Sequence, residues 1–131
     1  MDILQPEGWA RPRGYSNGVA ASGRTVSVSG MIGWDAQCAF QTDDFAGQVR
    51  QALQNIVEVL AEANARPEHI VRMTWYVVDK REYLGAAKEV GAAYRDIIGR
   101  HYPAMTAVQV AALIEDRARV EIEVTAVVPE A

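Results

Sequence analysis

The apolar positions of this chain follow two different periods. From Phe45 they recur at steps of three and four, through Val49, Leu53, Ile56 and Leu60, which lays one apolar stripe along a helix. The pattern predicts a long helix capped by Thr42 or Asp43 and running to about Asn64, with Asp43 and Asp44 in its first turn complementing the dipole. Asn64 and Pro67 mark its end. Tyr83, Ala87, Val90, Tyr94 and Ile97 or Ile98 predict a second helix, from Lys80 to about Gly99. Near the C-terminus the step becomes two. Val120, Ile122, Val124, Ala126 and Val128 alternate with Glu121, Glu123, Thr125 and Val127, so Arg119 to Val128 reads as a strand with an apolar and a polar face.

Val71 to Val78 is β-branched and aromatic and reads as a buried strand, with Trp75 in the core. Met105 to Leu113 reads as another, separated from the last strand by a turn around Glu115-Asp116. Gly18 to Ser22 and Thr25 to Gly30 read as two short strands around a hairpin turn at Ser22-Gly23-Arg24. Gly33 to Gln41 reads as a loop, and residues 1–13, with two prolines and little period, as an irregular arm. The order β-β-α-β-α-β-β predicts a single α+β domain over residues 1–131, with two helices on one face of a mixed sheet. The opposite face carries Glu121, Glu123 and Gln109, and must meet water or another subunit.

The chain has 131 residues, 50% hydrophobic and 23% charged, which suits one globular domain with a real core and is too short for two. A net charge of −4 argues against nucleic acid as the main partner, since phosphate binding needs a basic surface. No apolar run approaches the roughly 18 residues of a membrane span. The start, MDILQPEGWARPR, lacks the basic and apolar parts of a signal peptide. The single cysteine, Cys38, excludes an intrachain disulfide. Together these features point to a cytoplasmic protein. His69 and His101 lie outside recognised zinc spacings, Cys38 has no adjacent base, and Gly14, Gly18, Gly23, Gly30 and Gly33 are spaced as turns rather than as a phosphate loop. The expectation is no metal and no cofactor.

Five segments in order carry a resemblance. They are Gly14-Tyr15-Ser16-Asn17-Gly18-Val19, Val28-Ser29-Gly30-Met31-Ile32-Gly33-Trp34-Asp35, QVRQALQN from Gln48 to Asn55, Pro103 to Val110, and Val120 to Glu123. In these segments the chain resembles the RidA/YjgF family, whose best-known members are enamine/imine deaminases. The resemblance runs from about Gly14 to Val128 and implies a chorismate-mutase-like α+β domain. It also implies a homotrimer whose sheets meet around a central axis, with a small-molecule ligand in clefts between subunits. It implies a cleft built from Tyr15, the backbone at Gly30 and Met31, positions 105 and 106, and Glu121, with Glu123 as the alternative glutamate because the preceding turn carries an extra residue. The glutamate would position the attacking water. At position 105 the family usually has an arginine that grips a substrate carboxylate. Here that place holds Met105, followed by Thr106 and Ala107. A guanidinium gives a carboxylate two charged hydrogen bonds, and a thioether gives none.

Each candidate also has a plainer reading. Glu121 is either a carboxylate that orients or deprotonates water, or a strand glutamate facing solvent or an interfacial arginine. Tyr15 is a ligand wall or an interface tyrosine. Trp34 is an aromatic wall of the cleft or a side chain packed under its own loop. Arg119 shares strand parity with Glu121 and either supplies the missing cation or pairs with Glu115, Asp116 or a neighbouring subunit; Arg72 is ambiguous in the same way. Two functions follow. One is a cofactor-free hydrolytic deaminase of an enamine or imine other than the usual 2-imino acids. The other is a trimeric binding or regulatory protein that keeps the cleft without the reaction. Some relatives have been called ribonucleases, and the acidic balance argues against that activity here.

Overall fold

The computed structural model describes residues 1–130. In order the elements are β1 (Asp2–Leu4), β2 (Gly18–Ala20), β3 (Arg24–Ile32), α1 (Phe45–Glu62), β4 (Ile70–Val77), α2 (Lys80–Gly85), α3 (Ala87–Ile97), β5 (Ala104–Gln109) and β6 (Val120–Val128). Four strands make one mixed sheet in the order β3-β6-β4-β5, antiparallel except that β4 and β5 run parallel. Parallel neighbours need a crossover, and α2 with α3 supply it.

The apolar stripe of α1 packs as its spacing predicts. Phe45, Val49, Leu53, Ile56 and Leu60 are all buried, against Val120, Ile122, Val124 and Ala126 of β6 and Met73, Trp75 and Val77 of β4. Each such side chain contributes roughly 1.5–3 kcal/mol through burial. The other face of the sheet presents Glu121, Glu123 and Thr125 from β6, with Arg72, Thr74 and Tyr76 from β4.

Several local expectations are corrected. The arm is not irregular throughout, because β1 pairs antiparallel with β2. That three-residue ribbon leaves Ile3 and Leu4 exposed, so it has no buried face from which a period could be read. β2 and β3 form no hairpin; β3 pairs instead with the nine-residue β6. The chain passes under the end of β6 at Gly23, where an added methyl group would overlap the Val128 carbonyl. α1 is capped by Asp44, which accepts from the Gly47 N–H at 2.9 Å, while Asp43 stands outside the helix and pairs with Arg117. The second helix is broken at Ala86 into α2 and α3, directly after Gly85, so three helices cover the sheet rather than two. The break leaves Tyr83 edge-on to both Phe45 and Trp75.

β5 ends at Gln109 rather than Leu113, and β5 and β6 lie on either side of β4. Gln109 pairs in register with Val77, on the helix-covered face, and its side-chain oxygen accepts from the Lys80 N–H at the start of α2. It is therefore absent from the polar face.

Gln48 is fully buried within α1. Its amide nitrogen donates to the Thr42 and Arg117 carbonyls, and its oxygen accepts from the Arg119 N–H at 2.8 Å. The Gln48→Leu substitution would leave three backbone groups without partners, and an unpaired buried polar group costs about 1–3 kcal/mol. We expect Gln48→Leu to lower the unfolding free energy by about 2–4 kcal/mol, measured by urea denaturation. A loss below about 0.5 kcal/mol would mean that water replaces the amide.

Candidate functional site

β5 is an edge strand, and its start is held by the chain around Ser16. The Ser16 N–H donates to the Pro103 carbonyl at 3.0 Å, its hydroxyl donates to the Tyr102 carbonyl, and Ser16 bridges to Ala104. This stitch brings Arg13, Gly14 and Tyr15 to the edge of the sheet. Gly14 turns there with φ +75°, a conformation that favours glycine. Tyr15 itself is exposed.

Met105 pairs in register with Met73 and therefore shares its face, the one under the helices. There it lines a hollow of about 510 Å³. Met73, Trp75 and Met105 form the sheet side, Leu84, Ala87 and Val90 the helix side, and Tyr102 and Pro103 one end. The polar groups on this lining are few. The Tyr94 hydroxyl donates to the His101 carbonyl at 2.6 Å. Burial, with Tyr102 stacked beside it, pushes the Tyr94 phenol well above its ordinary pKa, and burial also raises Tyr83. Both are neutral phenols, unsuited to act as bases. The indole N–H of Trp75 is buried and has no acceptor. Arg13 and Arg95 complete the lining, and neither forms an ion pair among the described residues.

Glu121 lies on the other face. β3 has an irregularity between Val28 and Met31, opposite β6. Gly30, within it, leaves room for the Glu121 carboxylate, which an added methyl group would overlap. Met31 pairs with Ile122 and packs on the core, so only its backbone belongs with Glu121. The neighbouring Glu123 is engaged: the Tyr76 hydroxyl donates to it at 2.6 Å. That hydrogen bond raises the Tyr76 pKa, with desolvation and the charges of Glu123 and Glu121 acting in the same direction and Arg72 opposing. Glu121 has no hydrogen-bonded partner among the described residues, which makes it the freer of the two carboxylates.

The residues named from the sequence are thus not gathered in one place. Met105 and Tyr15 belong to the helix-side hollow and the edge beside it. Gly30, Glu121 and Thr106, which pairs with Thr74, belong to the polar face. Two strand spacings, roughly 9.6 Å, separate β5 from β6, with the sheet between Met105 and Glu121. Trp34 is elsewhere, in a shallow hollow of about 420 Å³ with Phe40, Ile114 and Arg117. Its loop is pinned by the Asn55 amide, which donates to the Ile32 and Trp34 carbonyls. A shared apolar cleft around Met105 and Trp34 does not form within one chain. Arg119 pairs with Glu82 of α2 at 3.0 Å, not with Glu115 or Asp116, and faces neither half of the site. Among the described residues no group of three or more His, Cys, Asp or Glu side chains could hold a metal, and no helix is long and apolar enough to cross a membrane.

Arg13 and Arg95 were not legible as site residues. Arg13 falls in the arm, whose pairing has no pattern in the sequence. Arg95 lies off the apolar stripe of its helix, and its only signal is Gly91, four residues earlier on the same helix face.

The family described as Endoribonuclease L-PSP matches residues 9–128. The 2-iminobutanoate/2-iminopropanoate deaminase of Homo sapiens is 32% identical over 114 residues, covering 86% of this chain and 79% of that one. The protein of the same name from Salmonella typhimurium is 32% identical over 108 residues, covering 80% of each. Among solved structures, the Rid-family protein YyfB of Yersinia pestis, described as of unknown function, superposes with a TM-score of 0.82 at 31% identity, covering 97% of this chain and 98% of that one. RidA from an Antarctic Psychrobacter superposes with a TM-score of 0.69 at 26% identity, covering 98% and 100%. The chain therefore belongs to the Endoribonuclease L-PSP family, the RidA/YjgF group.

Proposed function

We propose that this protein is a cofactor-free hydrolytic deaminase of a reactive enamine or imine other than the usual 2-imino acids, working as a homotrimer with its clefts between subunits. Relatives named imine deaminases support the reaction class. The observation that carries the departure in substrate is Met105. The family resemblance calls for a carboxylate-gripping arginine there, and here a thioether lines an apolar hollow. The intersubunit cleft is supported by the two sheet faces. One chain cannot bring Glu121 to Met105, so a cleft that uses both needs Glu121 from one subunit and the hollow from its neighbour.

The chemistry asks little of the protein. An imine carbon is already electrophilic. A held water adds to it, Glu121 accepts the water's proton, and the nitrogen gains one. The resulting carbinolamine collapses to a carbonyl and ammonia. One water is consumed and one ammonia released. An enamine first takes a proton at its β-carbon to become the imine. Gly30 keeps the Glu121 carboxylate free of a neighbouring side chain. A second reading, a binding protein without turnover, is favoured by one fact: among the described residues no acidic side chain lines the Met105 hollow.

Two measurements test this function. Light scattering at micromolar concentration should give three times the chain mass; a monomer would remove the intersubunit cleft. Ammonia release should be measured on imines generated in situ. A charge-assisted hydrogen bond contributes roughly 1.5–3 kcal/mol, so lacking it weakens binding of a small 2-imino acid by roughly 10- to 150-fold. We expect little turnover of such imines by the wild type, a gain in Met105→Arg, and loss in Glu121→Gln. Turnover by the wild type as fast as that of an arginine-bearing relative would show that another cation does the work. No turnover of any imine, apolar ones included, would favour the binding protein.

A further inference from the structure

We propose that the hollow beside Met105 takes an amphipathic acid: an apolar, ring-sized body seated between sheet and helices, with its carboxylate remote from the reacting carbon and held at the mouth by Arg95 and Arg13. The inference rests on reading this hollow as the substrate-binding half of the site, and it names the class of substrate.

Size is the first argument. A hollow of about 510 Å³ falls within the roughly 300–1,000 Å³ of sites that enclose drug-sized ligands, and a four-carbon imino acid would leave most of it empty. Chemistry is the second. The walls are Met73, Leu84, Ala87, Val90 and Met105. The charges on the lining are both positive, on a chain whose net charge is −4. An apolar floor with cations only at its mouth matches a molecule that is apolar at one end and anionic at the other. Such a pairing is selective, since a neutral ligand leaves the guanidinium groups unanswered.

Gly91 is the third argument. It lies inside α3, where glycine costs about 1 kcal/mol relative to alanine. With no Cβ at that place the Arg95 guanidinium lies down over the helix; a methyl group there would sit 3.2 Å from its Nη1. Arg95 thus lies back along α3 beside the hollow while remaining exposed to solvent. Arg13 comes from a different element, the arm fastened by Ser16. Trp75 supplies the fourth. It is 2% exposed, belongs to the lining, and its indole N–H lacks an acceptor. A buried donor without a partner is costly, and a polar atom on the seated body of the ligand would answer it.

The test is binding of a stable probe, which separates this proposal from any question of turnover. Isothermal titration calorimetry on the full chain would compare 4-phenylbutanoate with 4-phenylbutanamide and with acetate. We expect the phenyl acid to bind at least tenfold more tightly than its amide, and acetate to give no detectable heat at the same concentration. Arg95→Gln should weaken the phenyl acid about tenfold, and Arg13→Gln added to it should weaken it further. Added salt should weaken it as well, because both guanidinium groups are exposed. Ala87→Phe, at an exposed position of the lining, should block the site. Both arginines are also exposed, so their variants keep the test open if Ala87→Phe disturbs the fold. Equal affinity for acid and amide, or no effect of the double arginine variant, would overturn the role of the mouth. Equal affinity for acetate, or no binding of the phenyl acid at millimolar concentration, would overturn the apolar seat. Binding as expected with no ammonia released from any imine would keep this proposal and sink the deaminase.

Discussion

The buried amide of Gln48 fixes the phase of the last strand, and the site depends on that phase. Its nitrogen holds the carbonyls of Thr42 and Arg117, and its oxygen holds the Arg119 N–H, one residue before β6 begins. Every hydrogen-bonding direction but one is used, at a place where water has no access. Side chains alternate along a strand, so a slip of one residue would turn Glu121 under the helices and Ile122 out. Gly33 presses on the same residue: a methyl group there would overlap the Gln48 Cβ and Cα. Gln48 and Asn55 both fall in the helical segment that carries the family resemblance. The structure gives them work in holding backbone, Gln48 at the start of β6 and Asn55 at the loop after β3, with no contact to either half of the site.

A sheet so phased has two chemically different faces. The helix side holds an apolar hollow and neutral phenols. The other side holds the ionisable groups: Arg72, Tyr76, Glu121 and Glu123. The division has a physical cause. A carboxylate placed under the helices would lose its hydration and rise in pKa until it was protonated, and so could not serve as a base near neutral pH. On the open face Glu121 is only partly buried, while the hollow on the other side is lined mainly by apolar and aromatic groups. In the function proposed above, separating the base from the seat would let each have the dielectric it needs, and would leave their meeting to a second chain.

The sequence made the strongly periodic elements legible. The stripe of α1 and the alternation of β6 were sufficient because each buries one face against a core, and burial is what writes a period into a sequence. The polar face of β6 was legible for the same reason. β1 and β2 were not, because a three-residue ribbon in solvent imposes no pattern. Strand neighbours were not legible either. β5 follows β4 through a crossover and β6 lies on the far side of β4, an arrangement chosen by packing among all the strands. Gln109 shows the consequence: its parity within β5 was readable, but the face it shares depends on the partner, and pairing with Val77 puts it under the helices. Motif positions marked Met105 and Glu121, while the arginines beside the hollow come from an arm and from the polar flank of a helix. Cations at a pocket mouth are solvated, and solvated positions carry no hydrophobic signal.

Arg119 illustrates why cations on a strand and on a pocket rim are not equivalent. From the sequence it was one candidate for the cation missing at position 105, since it lies two residues from Glu121, weighed against the plainer reading of an ion-paired strand-end arginine. In the structure its Nη1 meets Glu82 at 3.0 Å, with both side chains partly buried, and the pair ties the start of β6 to α2. Drawing Arg119 away toward a ligand would strand the Glu82 carboxylate, whose Oε1 already lacks a partner. Arg95 and Arg13 have no such attachment and can turn to an anion without breaking an ion pair. Their cost is entropy: each must be ordered from solvent, roughly 2 kcal/mol of rotamer freedom at most. In the binding proposed above, the anion is held by side chains of the arm and of α3 rather than by one on β5 at position 105. Moving the cation from β5 to the arm and α3 while the apolar body sits in the hollow would therefore favour long acids over short ones.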